Sequence, residues 1–235
     1  MRIRNMFLLV TSLAVMFLLA CSEPTSTPQP TVAPTPKPIP EEVVIESNHL
    51  VEQGIDLGQA GDYQSAITSL TKAIEANPIN SDAYYFRGYL YMNVGLYDKA
   101  IDDYTEAIKL NPNLAETYYN RGIVYSELRQ YDKAEDDLTK AIELNPQNAD
   151  AYIQRGGVYG ANERYTEAID DFTKVIELNT DNADAYGLRG LAYRELGQYD
   201  KALRDLDKLI ESNPNDEELR EIRKQLLEDH PELEP

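Results

Sequence analysis

Residues 115–148 read AETYYNRGIVYSELRQYDKAEDDLTKAIELNPQN, and residues 149–182 repeat that skeleton at an interval of 34 residues. Because the interval exceeds any helix or strand period, it is read before local structure. Tyr118, Arg121-Gly122, Tyr125, Ala134, Leu138, Ala141 and Asn145-Pro146 define the slots. One interval earlier the same slots hold Tyr84, Arg87-Gly88, Tyr91, Ala100, Tyr104, Ala107 and Asn111-Pro112. Later copies hold Tyr152, Arg155-Gly156, Tyr159, Ala168, Phe172, Val175 and Asn179, then Tyr186, Arg189-Gly190, Tyr193, Ala202, Leu206, Leu209 and Asn213-Pro214. A first copy retains Gly54, Ala66, Leu70, Ala73 and Asn77-Pro78. In each half of a copy the apolar and small residues fall at helical spacing, so each copy predicts two helices. The turn between them, as in Gly95-Leu96-Tyr97-Asp98, offers glycine to end one helix and aspartate to cap the next. Asn-Pro closes the second helix, since a residue before proline avoids helical geometry.

These slots resemble the tetratricopeptide repeat, whose pattern is Trp-x2-Leu-Gly-x2-Tyr, then Ala-x3-Phe, then Pro, at a period of 34. In the last four copies tyrosine stands for tryptophan, and arginine for the leucine before the glycine. The resemblance implies an all-α, right-handed α-solenoid of five helix-turn-helix repeats: 47–80, 81–114, 115–148, 149–182 and 183–216. Residues 217–235 contain Leu219, Ile222, Leu226 and Leu227 at helical spacing and predict a capping helix with a frayed end. A single helix pair cannot bury its apolar faces alone, so the copies must stack.

The recurring arginine predicts a brace. Arg87, Arg121, Arg155 and Arg189 are each followed sixteen residues later by Asp103, Asp137, Asp171 and Asp205, while the first copy has Gln53 and Ser69 instead. Arginine and aspartate appear or vanish together, which suggests partly buried pairs between the two helices of a repeat. Independent solvated charges are the other reading.

Ahead of the repeats, residues 1–20 carry Arg2 and Arg4 and then an apolar run too short to span a bilayer core, which needs about 20 residues. This is the layout of a secretory signal peptide. Leu18-Leu19-Ala20-Cys21 is similar to the lipobox of bacterial lipoproteins, which implies cleavage before Cys21 and acylation of its thiol. An ordinary cleaved signal with an incidental cysteine is the alternative. Residues 21–40 include Pro24, Pro28, Pro30, Pro34, Pro36, Pro38 and Pro40 and predict an extended, unfolded tether. At about 3.1 Å per residue it reaches roughly 60 Å from a membrane.

With 22 basic and 41 acidic residues the chain has a net charge of −19, which repels nucleic-acid phosphates and anionic lipid headgroups. Cys21 is the only cysteine, and His49 and His230 lie far apart in sequence. No nucleophile–histidine arrangement, phosphate-cradling loop or metal-ligand spacing is present. The sequence therefore predicts neither an enzyme nor a bound metal or cofactor. Asp-Asp pairs beginning at 102, 136 and 170 fall inside predicted helices without a loop glycine, unlike a calcium loop.

Solenoids present a concave surface, which in the resembled family is lined by the first helix of each pair. The corresponding slots hold Tyr85, Phe86, Tyr89, Met92 and Asn93, then Tyr119, Asn120, Ile123 and Glu127, then Ile153, Gln154, Gly157 and Gly160. The fifth copy adds Leu188, Leu191 and Arg194. Tyrosine and methionine are frequent anchors for peptides, although packing against the neighbouring helix would use the same residues. The lysine–asparagine clamp by which some family members hold a carboxylate terminus is absent. The expectation is a lipid-anchored scaffold of the bacterial cell envelope, binding a protein or peptide partner in its groove. Self-association without a separate ligand is the alternative.

Overall fold

A computed structural model describes residues 38–233, so the predicted signal peptide, Cys21 and nearly all of the tether lie outside the described residues. Regular structure within them is entirely helical. The first repeat pairs α1 (Glu41–Gln59) with α2 (Tyr63–Ala76), and the second pairs α3 (Ser81–Asn93) with α4 (Tyr97–Leu110). The next three comprise α5 (Ala115–Glu127) with α6 (Tyr131–Leu144), α7 (Ala149–Ala161) with α8 (Tyr165–Leu178), and α9 (Ala183–Glu195) with α10 (Tyr199–Ser212). A final helix, α11 (Glu217–Asp229), is followed by a short 3-10 turn. Each helix packs on the next in sequence, and first helices also touch first helices of adjacent repeats, as α3 does α5.

The period-34 slots have identifiable physical jobs. The glycine of the first helix is a notch for a large side chain of the second. A β-carbon built on Gly156 would lie 2.6 Å from the Phe172 ring, and one on Gly122 would lie 2.9 Å from Leu138. Leu70, Tyr104 and Leu138 are fully buried in such notches, and Phe172 nearly so. Cores are continuous between repeats: Ile142 of the third packs with Ala151, Tyr152 and Val175 of the fourth and Ala185 of the fifth.

The turns differ from expectation in two respects. Asp98 and Asp200 do not cap; they lie in the first turns of α4 and α10, whose caps are Leu96 and Gln198. There they complement the positive helix end without closing a side-chain cap. Second helices end at the same slot even where Thr180 replaces proline, as α8 does at Leu178. Asparagine explains this: the side chains of Asn77, Asn111, Asn145 and Asn179 each accept a bond from the backbone N–H two residues on, at 3.1–3.3 Å. Such a side-chain turn terminates a helix without help from proline.

The turn inside each repeat requires a left-handed residue. Gly61, Gly95 and Gly197 supply it in three repeats, but Arg129 (φ 57°) and Glu163 (φ 60°) occupy the slot in the other two. The geometry is held by bonds such as Gln130 N–H to the Tyr125 carbonyl at 2.8 Å.

Candidate binding surface

Each first helix from α3 to α9 is tied by a polar frame to the second helices on either side of it. In α5, the Arg121 guanidinium donates to both carboxylate oxygens of Asp137 on α6, at 2.7 and 2.8 Å. Its third nitrogen donates to Thr105 of the preceding repeat at 3.0 Å. Arg87 makes the same set with Asp103 and Thr71, Arg155 with Asp171 and Thr139, and Arg189 with Asp205 and Thr173. The four aspartates are buried. The paired short bonds are those of an ionised pair. The bond to Asp103 holds Arg87 more firmly protonated, whereas burial lifts the Asp103 carboxyl against the pull of that arginine.

The threonines were not singled out by sequence, yet Thr71, Thr105, Thr139 and Thr173 recur at the repeat interval. The tyrosines flanking each arginine have a second role besides filling space. The Arg121 guanidinium lies 5.9 Å from the Tyr118 ring centre and 5.8 Å from that of Tyr125, and the same sandwich surrounds Arg87, Arg155 and Arg189. Tyr-x2-Arg-Gly-x2-Tyr is thus one cation–π unit. In the first repeat a neutral version stands in its place: the Ser69 hydroxyl donates to Gln53 Oε1 at 2.9 Å.

The slots expected to read a ligand separate into two groups. Asn120 departs from that expectation: it is only 7 % exposed, and its amide donates to the Tyr85 hydroxyl at 3.2 Å. It is used up in joining α3 to α5. Tyr85 in turn donates to Glu116 at 3.3 Å, and burial with that carboxylate pushes its phenol up to about 12. Phe86 packs against the first-repeat core, Met92 lies against Tyr104, and Tyr119 and Ile153 lean on the clusters between the third and fourth repeats. Tyr89, at 41 %, is the large apolar side chain most open to solvent among the slots of the second to fourth repeats. Asn93, Glu127 and Gly157 are exposed, and Ile123 and Gln154 are half-buried. Thr117, fully buried where the second, fourth and fifth repeats have alanine, has a hydroxyl without a partner.

At the carboxy-terminal end the face opens into a cavity of about 800 Å³ bounded by α9, α10 and α11. Its walls are aliphatic, with Leu188, Leu191, Leu206, Leu209, Leu219, Ile222 and Leu226, and Ile153 reaches in from the fourth repeat. One substitution and one difference in side-chain placement accompany it. Gly187 occupies the slot of Tyr85, Tyr119 and Ile153, the side chains that elsewhere plug the seam between repeats. Leu206 also leaves the fifth notch unfilled: a β-carbon on Gly190 would meet Asp205 at 3.4 Å, with no contact to Leu206. The glycine substitution was visible in the sequence, but the resulting space was not.

Comparison with known proteins agrees with this architecture. The tetratricopeptide repeat profiles match residues 57–80, 81–114, 115–148, 138–170 and 156–227. The fold is similar to a crystal structure of MamA, at 30 % identity and a TM-score of 0.68 over 72 % of this chain and 92 % of that one. It is also similar to YrrB, described as a TPR protein with an unusual peptide-binding site, at 27 % identity and a TM-score of 0.67 over 74 % and 90 %. A tetratricopeptide repeat protein from Parabacteroides merdae matches at 29 % identity and a TM-score of 0.68 over 78 % of this chain and 73 % of its own. No curated protein matches the chain. Period, helix pairing, notch glycines and these similarities agree, and the chain belongs to the tetratricopeptide repeat family.

Proposed function

We propose that this protein is a lipid-anchored scaffold on the outer side of a bacterial membrane, which captures a protein or peptide segment on its concave face. The observation that carries the binding role is the division of the concave slots. Tyr85, Asn120 and Phe86 are consumed in joining repeats, and this leaves Tyr89, Asn93, Ile123, Glu127 and Gln154 on a surface already stiffened beneath them. A stiff surface loses little entropy on binding, so its open side chains can be spent on a ligand. The peptide-binding site described for YrrB supports the same kind of partner.

Anchoring rests on the sequence ending Leu19-Ala20-Cys21, where the only cysteine follows an apolar run and precedes a proline-rich tether. No described helix is long and apolar enough to cross a membrane. More than one acyl chain makes an anchor stable, at about 0.8 kcal/mol per buried CH2.

Two experiments test the two halves. A photo-crosslinker at Tyr89 or Asn93 in cells is expected to trap a discrete partner, and absence of any adduct would remove the groove reading. Metabolic labelling with an alkyne fatty acid is expected to mark the wild type and not Cys21→Ser. Equal membrane retention of the two would end the anchor reading.

A further inference from the structure

The carboxy-terminal cavity has a chemistry different from that of the open groove. We propose that it is a second docking site, taking a basic, leucine-rich amphipathic segment of a partner protein. This rests on the reading of the chain as a binding scaffold; its walls include the slots Ile153, Leu188, Leu191 and Arg194 but none of the open slots Tyr89, Asn93, Ile123, Glu127 and Gln154.

The volume, about 800 Å³, falls within the range of formed ligand clefts rather than of packing defects. Its lining is branched aliphatic, and two of those side chains remain open at the mouth, Leu191 at 50 % and Ile222 at 44 %. An aliphatic row facing such walls is the complement of leucines spaced along one helix face.

Charge selects the flanks of that segment. Asp184 and Asp229 line the cavity, and among the described residues neither forms an ion pair. The lining cation, Arg194, is engaged by Glu195 at 3.3 Å. Asp229 also lies in the last turn of α11, which carries no basic residue, so its charge opposes the negative helix end. A lysine or arginine there would meet both the carboxylate and the helix terminus. The chain's net charge of −19 adds attraction at longer range.

Gly187 permits a clean test. A β-carbon there meets Leu209 Cδ1 at 3.4 Å, an ordinary contact, and Gly187 lines the cavity, so a side chain added at this position takes up its space. Gly187→Ile restores the residue type of Ile153 in that slot and removes a glycine from a helix, so it should raise Tm while closing the site. The probe is a fluorescent leucine–lysine peptide of about 18 residues, five helical turns, with leucines on one face. Its glutamate counterpart and sodium laurate serve as comparators.

The full chain without residues 1–21 should bind the lysine peptide in a salt-sensitive manner and bind the glutamate peptide at least tenfold more weakly. Gly187→Ile and Leu191→Gln should each weaken binding tenfold or more, Asp184→Asn with Asp229→Asn severalfold, and Tyr89→Ala not at all. Absence of binding, equal binding of the two peptides, or full binding by both Gly187→Ile and Leu191→Gln would overturn the proposal. Gly187-dependent binding of laurate without the peptide would assign the cavity to lipid instead. Because Tyr89→Ala reports on the groove alone, failure of one site is distinguishable from failure of the other.

Discussion

Arg121 and Asp137 form a two-pronged ion pair between α5 and α6, with side chains only 15 % and 9 % exposed, and the same arginine reaches Thr105 one repeat back. One side chain thus closes its own repeat and bonds it to its neighbour. Removing one partner of a buried pair strands the other charge, at about 3–5 kcal/mol. Arg121→Ala and Asp137→Ala should each fall in that range, and Arg121→Met with Asp137→Leu should cost much less than their sum. Thr105→Val should cost about 0.5–1.5 kcal/mol, the worth of one bond. Urea unfolding across this mutant cycle is the measurement, and additive single effects would show that the pair is not coupled.

The glycine notches are unequal. Gly156→Ala should destabilise by about 1–3 kcal/mol, since its β-carbon collides with the Phe172 ring at 2.6 Å. Gly190→Ala meets Asp205 at 3.4 Å and the Ala202 carbonyl at 3.7 Å, both ordinary contacts, and should be neutral or stabilising by about 0.5–1 kcal/mol, from helix propensity. Thermal denaturation of the two variants decides it; similar losses would mean that the fifth notch is as tight as the fourth.

Arg129 and Glu163 hold left-handed backbone where other repeats use glycine. Left-handed geometry costs an L-residue roughly 1–2 kcal/mol. Arg129→Gly and Glu163→Gly should therefore each raise stability by about 1 kcal/mol, read as a higher denaturation midpoint with unchanged circular dichroism.

Thr117→Ala restores the residue present at Ala83, Ala151 and Ala185 and deletes a buried hydroxyl without a partner. An unmade bond costs about 1–3 kcal/mol, against about 0.8 for a lost methyl. A gain in stability is expected, and a loss above about 1 kcal/mol would mean that the hydroxyl is satisfied in solution.

Alkali should unfold the protein through its buried phenols. Tyr85 is raised from the ordinary 10 to about 12 by burial and by Glu116, and burial raises Tyr104 further. Both folded values lie above the unfolded one, so the stability they contribute is complete below pH 10. It falls as pH rises from 10 through 12. Denaturation midpoints should be insensitive to these groups up to pH 10 and then decline, less steeply in Tyr85→Phe.

Much of the site was legible because the repeat states each rule several times. Arg121 with Asp137 could be paired by interval alone, since four copies kept both residues and one lacked both. Asn120 could not be placed: its slot faces the ligand side of α5, but the tyrosine hydroxyl of Tyr85 on the adjacent helix captures it. Sequence lists what occupies a slot, whereas burial depends on what the neighbouring repeat has put opposite.

The sequence by itself determined the period, the helix pairs, their asparagine ends and the arginine–aspartate interval, because these are local patterns written five times or nearly so. Tertiary structure decided which tyrosines join repeats and which remain open, and it decided the threonine link. It also decided the fate of Gly187, the residue in the Tyr119 slot of the last repeat. In sequence, the missing side chain only thins one end of the groove. Once α9, α10 and α11 are packed around it, the same absence is a cavity of about 800 Å³.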